Sequence, residues 1–163
     1  MRIGTGYDVH AFCTGDKLVL GGIKIPFNKS FAAHSDGDVL IHAICDAMLG
    51  ALALGDIGGY FPPDDAQWKD CKSDVFLRHI NKLINAQGYQ INNIDSTIIC
   101  EKPKIKPHVA AMQNNLSHIL NIQTNQISIK ATTTEKLGFC GQEQGIAVQS
   151  ICLLTKRSQT QKP

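Results

Sequence analysis

From Val39 to Leu54 the chain reads VLIHAICDAMLGALAL, a run of Ala, Leu and Ile interrupted by two ionisable side chains, His42 and Asp46, four residues apart. That pattern predicts a helix, and the rest of the chain must be arranged to cover it. The helical period sets Asp38, His42 and Asp46 in one polar stripe, with Val39, Leu40, Ala43, Ile44 and Ala47 on the other side. Ser35-Asp36-Gly37-Asp38 reads as the helix start, with Ser35 as its cap. Gly55, Gly58, Gly59, Pro62 and Pro63 end the pattern and predict a loop to about Lys72, a kind of segment that often carries function.

Around this helix the elements alternate. Ile3–Phe12 reads as a strand, Leu18–Ile25 as a hairpin turning at Gly21-Gly22, a second helix runs from Ser73 to a stop at Gly88, and Tyr89–Cys100 is extended. A third helix follows Pro107, with Val109, Met112, Leu116, Ile119 and Leu120 along one face, and then come strands at Ile127–Ala131 and Ile146–Leu154. The last is apolar on both alternating faces, as for a strand covered on both sides. The order is that of an α/β (α+β) fold, one catalytic domain at 1–156 with a polar C-terminal tail at 157–163. With 43% apolar and 18% charged residues, such a chain has enough material for one core.

A net charge of +2 is too small for a nucleic-acid surface or a basic membrane patch, so any bound anion must meet a local site. No apolar run approaches the roughly 20 residues of a membrane span and no signal-peptide core is seen, which points to the cytoplasm. Six scattered cysteines without a C-x-x-C pair argue against a zinc ribbon and suit small buried hydrophobes.

Two clusters carry chemistry. Asp8 and His10, two apart on an extended segment, share a face; with His42 from the helix they make a two-His, one-carboxylate metal set, and Asp46 lies one turn away where it would orient the His42 imidazole. The same residues also suit a turn cap, a surface histidine and a solvated helix face. The second cluster is Lys130-Ala131-Thr132-Thr133-Thr134-Glu135, with hydroxyls for phosphate oxygens and a carboxylate for a hard cation, or else a plain threonine-rich strand end. Leu54–Gly59 sets Asp56 among glycines that a polyol can approach, and Glu101–Pro107 is a rigid basic stretch. Gly4-Thr5-Gly6 lacks the last glycine of a dinucleotide fingerprint, which removes a Rossmann reading.

Taken together, Gly6-Tyr7-Asp8-Val9-His10-Ala11-Phe12, His34-Ser35-Asp36-Gly37-Asp38-Val39, Leu54-Gly55-Asp56-Ile57-Gly58 and Lys130 through Phe139 resemble the 2-C-methyl-D-erythritol 2,4-cyclodiphosphate synthase family, over about Met1 to Lys156. The resemblance implies a ferredoxin-like βαβ-type fold with a mixed sheet on one side and helices on the other, assembled as a homotrimer with active sites shared between subunits. It implies a cyclising lyase of the non-mevalonate isoprenoid pathway, which converts 4-diphosphocytidyl-2-C-methyl-D-erythritol 2-phosphate to the cyclic diphosphate and CMP. By the same resemblance Asp8, His10 and His42 hold Zn²⁺ beside the substrate, and Glu135 holds Mg²⁺ or Mn²⁺. The resemblance further makes His34, Thr133 and Glu135 the expected catalytic residues, with His34 and Ser35 expected to meet the phosphates and Thr132 and Thr133 the CDP moiety. On the same resemblance Asp56, Ile57, Gly58, Phe61 and Asp64 are expected to form the erythritol loop, and Cys100, Lys104, Ile105 and Lys106 with Ala131 the cytosine pocket.

The chain departs from the family pattern in places. It has Phe61-Pro62-Pro63-Asp64 where the family has Phe, Pro and then Asp, and Gln142 and Gln149 where the family often has arginine and glutamate near the threefold axis, beside Phe139. Two other functions stay open: a trimer holding an isoprenoid diphosphate on its axis, and a phosphohydrolase using the same metal with an activated water.

Overall fold

The computed structural model describes residues 1–33, 35–62, 65–68 and 71–157. Its frame is a five-stranded mixed sheet of order β4-β1-β7-β5-β6, built from β1 (Arg2–Thr14), β4 (Lys29–Phe31), β5 (Tyr89–Ile99), β6 (Ile127–Thr132) and β7 (Gly145–Lys156). β1 and β7 are antiparallel over ten register pairs, from Arg2↔Leu154 to Ala11↔Gly145. β5 is antiparallel to β7 and parallel to β6. A parallel pair needs a crossover, which is supplied by helix α4 (Val109–Leu120). The predicted hairpin is a separate two-stranded ribbon, β2 (Lys17–Leu20) with β3 (Ile23–Pro26).

Helix α1 (Val39–Ala51) lies across β1 and β7, with ten of its thirteen residues buried. Each fully buried leucine or isoleucine there contributes about 1.5–3 kcal/mol relative to exposure. The approach to β1 is too close for side chains. A Cβ on Gly4 would lie 2.2 Å from the Ala47 carbonyl oxygen, and one on Gly6 would lie 2.1 Å from that of Ala43. The Gly-x-Gly pair that fails as a dinucleotide fingerprint therefore serves helix–strand contact.

The helix cap differs from the expectation. Asp38, not Ser35, receives the Ile41 N–H, and its carboxylate also receives the N–H groups of Gly21 (3.0 Å) and Gly22 (2.6 Å) at the tip of the ribbon. Asp38 is fully buried and thus stands outside the polar stripe expected of it. The helix also stops at Ala51 rather than Leu54, where Ala53 turns left-handed at φ 57°; Leu54 still packs on the core, so the apolar pattern outlasts the helix.

Helix α3 (Ser73–Ala86) buries Phe76, Leu77, Ile80 and Ile84 and is followed by Gly88 at φ 76°. The helices cover one face of the sheet. On the other, Ile3 (68% exposed), Tyr7 (56%) and Ile151 (39%) stand in solvent. On β7, Ile146, Val148, Ser150, Cys152 and Leu154 are buried on the helix side, while on the other side Ala147 is buried, Leu153 half-buried, and Gln149 and Ile151 exposed. All six cysteines are free and four of them are buried, as small hydrophobes would be. No described helix is long and apolar enough to cross a membrane.

Candidate active site

Strand alternation sends Gly4, Gly6, Asp8 and His10 toward α1, and α1 presents His42 to them. Asp8 Oδ2 lies 3.1 Å from His10 Nε2 and 3.2 Å from His42 Nδ1. One ligand atom from each residue falls within 4.8 Å of the others, an arrangement that can hold a metal ion.

The ring tautomers are set from behind. His10 Nδ1 lies 3.0 Å from the Gly37 carbonyl oxygen, which only accepts, so Nδ1 donates to it and Nε2 is the nitrogen turned to Asp8, donating to the carboxylate when protonated and able to ligate a metal when that proton is displaced. His42 Nε2 lies 2.9 Å from Ser73 Oγ. Burial alone would raise the Asp8 carboxyl, but hydrogen bonds and charge from His10 and His42 hold it well below the usual carboxylate range. Burial opposes a charged His10, yet its hydrogen bond and proximity to Asp8 prevail and raise its pKa.

Beside these residues opens a cavity of about 310 Å³. His10, His42 and Ser35 line its polar side, and Phe61, Trp68 and Phe76 its apolar side. Phe61 meets Trp68 edge-on, with ring centroids 4.9 Å apart, and lies 4.5 Å from Phe76. Trp68 and Phe76 escape sequence reasoning as site residues, because an apolar wall and a core position look alike in a sequence.

The erythritol-loop candidates lie at the same mouth. Asp56 caps the short helix α2 (Ile57–Tyr60) by accepting the Gly59 N–H through Oδ1, at 3.0 Å. Ile57 and Gly58 line the cavity. Asp46 does not orient His42 by a hydrogen bond; its Oδ1 accepts the Ile57 N–H at 2.8 Å, and the place expected for it beside the imidazole is taken by Ser73. His34 and Asp64 lie outside the described residues.

The CDP-phosphate and cytosine candidates gather elsewhere, apart from Ser35. Cys100 donates its N–H to Thr132 O, and Glu101 Oε1 accepts from Thr134 N (3.1 Å) and Lys136 N (3.3 Å), so the two stretches form one unit. Cys100 and Ile105 are buried, whereas Lys104, Lys106, Ala131, Thr132, Thr133 and Glu135 are exposed. Glu135 (φ 53°) and Lys136 (φ 66°) both adopt left-handed backbone, costing of order 1 kcal/mol each, as functional segments often do. Phe139 lies exposed on helix α5 (Gly138–Gly141), and Gln142 next to it accepts from Gln144 Nε2 at 3.1 Å. Between β1 and β6 stand β7 and β5, three strand spacings or roughly 14 Å. One chain does not bring Glu135 to Asp8.

Residues 1–155 match the YgbB family model. The 2-C-methyl-D-erythritol 2,4-cyclodiphosphate synthase of Chlorobium phaeobacteroides (strain BS1) is 54% identical over 159 residues, covering 98% of this chain and 100% of its own. That of Xanthomonas axonopodis pv. citri (strain 306) is 54% identical over 153 residues, covering 94% and 92%. Among solved structures, Plasmodium falciparum IspF in complex with CDP superposes with a TM-score of 0.85 at 40% identity, over 96% of this chain and 97% of that one. The bifunctional IspDF of Campylobacter jejuni gives 0.95 at 41% identity, over 98% of this chain and 43% of that one.

Proposed function

The chain belongs to the YgbB family, and from that premise we propose that it is a lyase of isoprenoid biosynthesis, closing 4-diphosphocytidyl-2-C-methyl-D-erythritol 2-phosphate to 2-C-methyl-D-erythritol 2,4-cyclodiphosphate and CMP. The observation that carries this reading is the convergence of Asp8 Oδ2, His10 Nε2 and His42 Nδ1 at the mouth of a cavity able to take a small polyol phosphate. The donor set fits a divalent zinc ion: two imidazole lone pairs and one carboxylate leave a fourth position for substrate.

The substrate's 2-phosphate oxygen bonds to its own β-phosphorus while the bond from that phosphorus to the CMP oxygen breaks, so the protein supplies no nucleophile and consumes no water. Its work is positioning and charge neutralisation. Zn²⁺ on Asp8, His10 and His42 would polarise a β-phosphate oxygen, and Mg²⁺ or Mn²⁺ beside Glu135 would offset charge on the departing CMP. Asp56 keeps Oδ2 for an erythritol hydroxyl. Ile57 has given its N–H to Asp46, so the backbone donor left for the polyol is Gly58. Thr132 and Thr133 offer hydroxyls to the CDP phosphates, and Lys104 and Lys106 stand near the cytidine.

These roles need two copies of the chain. A roughly 14 Å separation within one chain, together with the exposed apolar sheet face, favours a homotrimer in which the Thr132–Glu135 segment of one subunit completes the metal site of the next. Cytoplasmic residence is the reading that goes with such a biosynthetic enzyme.

His42→Ala tests the metal assignment. We expect zinc analysis to show loss of the ion and CMP release to nearly stop, with far-UV circular dichroism unchanged because the core face of α1 is untouched. One zinc per chain with the original rate would exclude His42 as a ligand.

A further inference from the structure

We propose that Ser73, held by Asp36, is a positioning residue that sets the tautomer and orientation of His42 for metal binding. The proposal rests on reading Asp8, His10 and His42 as a metal centre. Ser73 opens α3, is fully buried, and stands 31 residues from His42 in the chain. Its hydroxyl has one proton. The Asp36 carboxylate, which can only accept, lies 2.5 Å from it at Oδ1 and takes the Ser73 N–H at Oδ2, 3.1 Å away. The hydroxyl proton therefore goes to Asp36, and a lone pair of Ser73 Oγ faces His42 Nε2. That nitrogen donates to Ser73, so Nδ1, whose proton goes to Asp8 in the metal-free chain, is the nitrogen left to give a lone pair to a metal that takes that proton's place.

With a metal on Nδ1 the ring has one proton left, and Ser73 gives it an acceptor at Nε2; without that acceptor the proton is held only by the Nδ1–Asp8 contact, where it blocks the cation. Asp36 and its neighbour Gly37 thus control both imidazoles: Gly37 O holds His10 directly and Asp36 holds His42 through Ser73. The Ser35–Asp38 stretch, read from the sequence as a helix start, supplies these outer supports. Ligands backed in this way typically lose 10- to 100-fold in metal affinity when the backing group is removed.

Cobalt(II) is the probe. Chelated protein, Ser73→Ala, Asp36→Asn and Ile80→Val are titrated with Co²⁺ and followed by visible absorption, with ¹⁵N–¹H spectra of the histidine rings recorded on the chelated forms. Ile80→Val cuts a buried methyl from the same helix without touching His42, so it reports what mere loosening of α3 does. Ser73→Ala is expected to bind Co²⁺ about 10- to 100-fold more weakly, to change the visible bands, and to lose the hydrogen-bonded Nε2–H signal of His42. Asp36→Asn, which retains an acceptor oxygen, is expected to fall between, and Ile80→Val to match the original. Equal affinity and bands in Ser73→Ala, or losses no larger than those of Ile80→Val, would overturn the relay. An original protein that takes up no Co²⁺ would instead overturn the metal centre itself, and the relay with it.

Discussion

The Asp46 carboxylate accepts the backbone N–H of Ile57 at 2.8 Å, fastening the helix that carries His42 to the loop that carries Asp56. A charged acceptor of this kind contributes about 1.5–3 kcal/mol, enough to hold an exposed glycine-rich turn in register with the cavity. Asp46→Ala should therefore raise KM for the CDP-linked substrate about tenfold or more while leaving zinc content unchanged. Steady-state kinetics with metal analysis on the same sample decide it; loss of zinc with an unaltered KM would return Asp46 to the metal site.

Glu135 is exposed on a left-handed turn, three strands from His10, and is the acidic group next to the threonines. Glu135→Gln should keep one zinc per chain, slow turnover and blunt the response to added Mg²⁺. A magnesium titration that superimposes on the original would remove Glu135 from cation binding.

Ile151 stands 39% exposed on the uncovered sheet face, opposite Thr5 on β1 and Asp95 on β5. If this face joins the subunits, Ile151→Arg places a charge in the interface and should yield monomers by sedimentation, with zinc retained and turnover below about a tenth. Full activity from a monomer would show that one chain suffices.

Burial pushes the Asp38 carboxyl from 3.8 up to about 6, against the pull of its backbone donors Gly22, Ile41 and Gly21. The folded chain then holds this proton more tightly than the unfolded one, so the group's contribution to stability is whole below about pH 4 and is lost as pH rises through about 6, about 3 kcal/mol in all. The unfolding free energy of the original minus that of Asp38→Asn should fall across that window. A flat or rising difference would contradict the assignment.

Much of the site is legible in the chain because short-range periods expose it. A two-residue period puts Asp8 and His10 on one face, and the helical run brings in His42. What escapes depends on contacts that no period encodes. Ser73 reaches His42 across 31 residues, and Asp38 turns away from its helix because two glycine N–H groups of the β2–β3 ribbon capture it. Gly4 and Gly6 look like half of a phosphate motif until a helix is seen 2 Å from where their Cβ atoms would be. Ile146–Leu154 reads as covered on both sides, but in the single chain Gln149 and Ile151 stand exposed on one of them; their cover is a question of assembly.

The most direct test follows the phosphorus atoms. The protein, zinc-loaded and supplied with Mg²⁺, is incubated with 4-diphosphocytidyl-2-C-methyl-D-erythritol 2-phosphate and monitored by ³¹P NMR. The account predicts two coupled resonances of a cyclic diphosphate rising in step with CMP, and none of inorganic phosphate. Free phosphate, or a linear product carrying oxygen from ¹⁸O-labelled water, would show that the site hydrolyses its substrate and would contradict it.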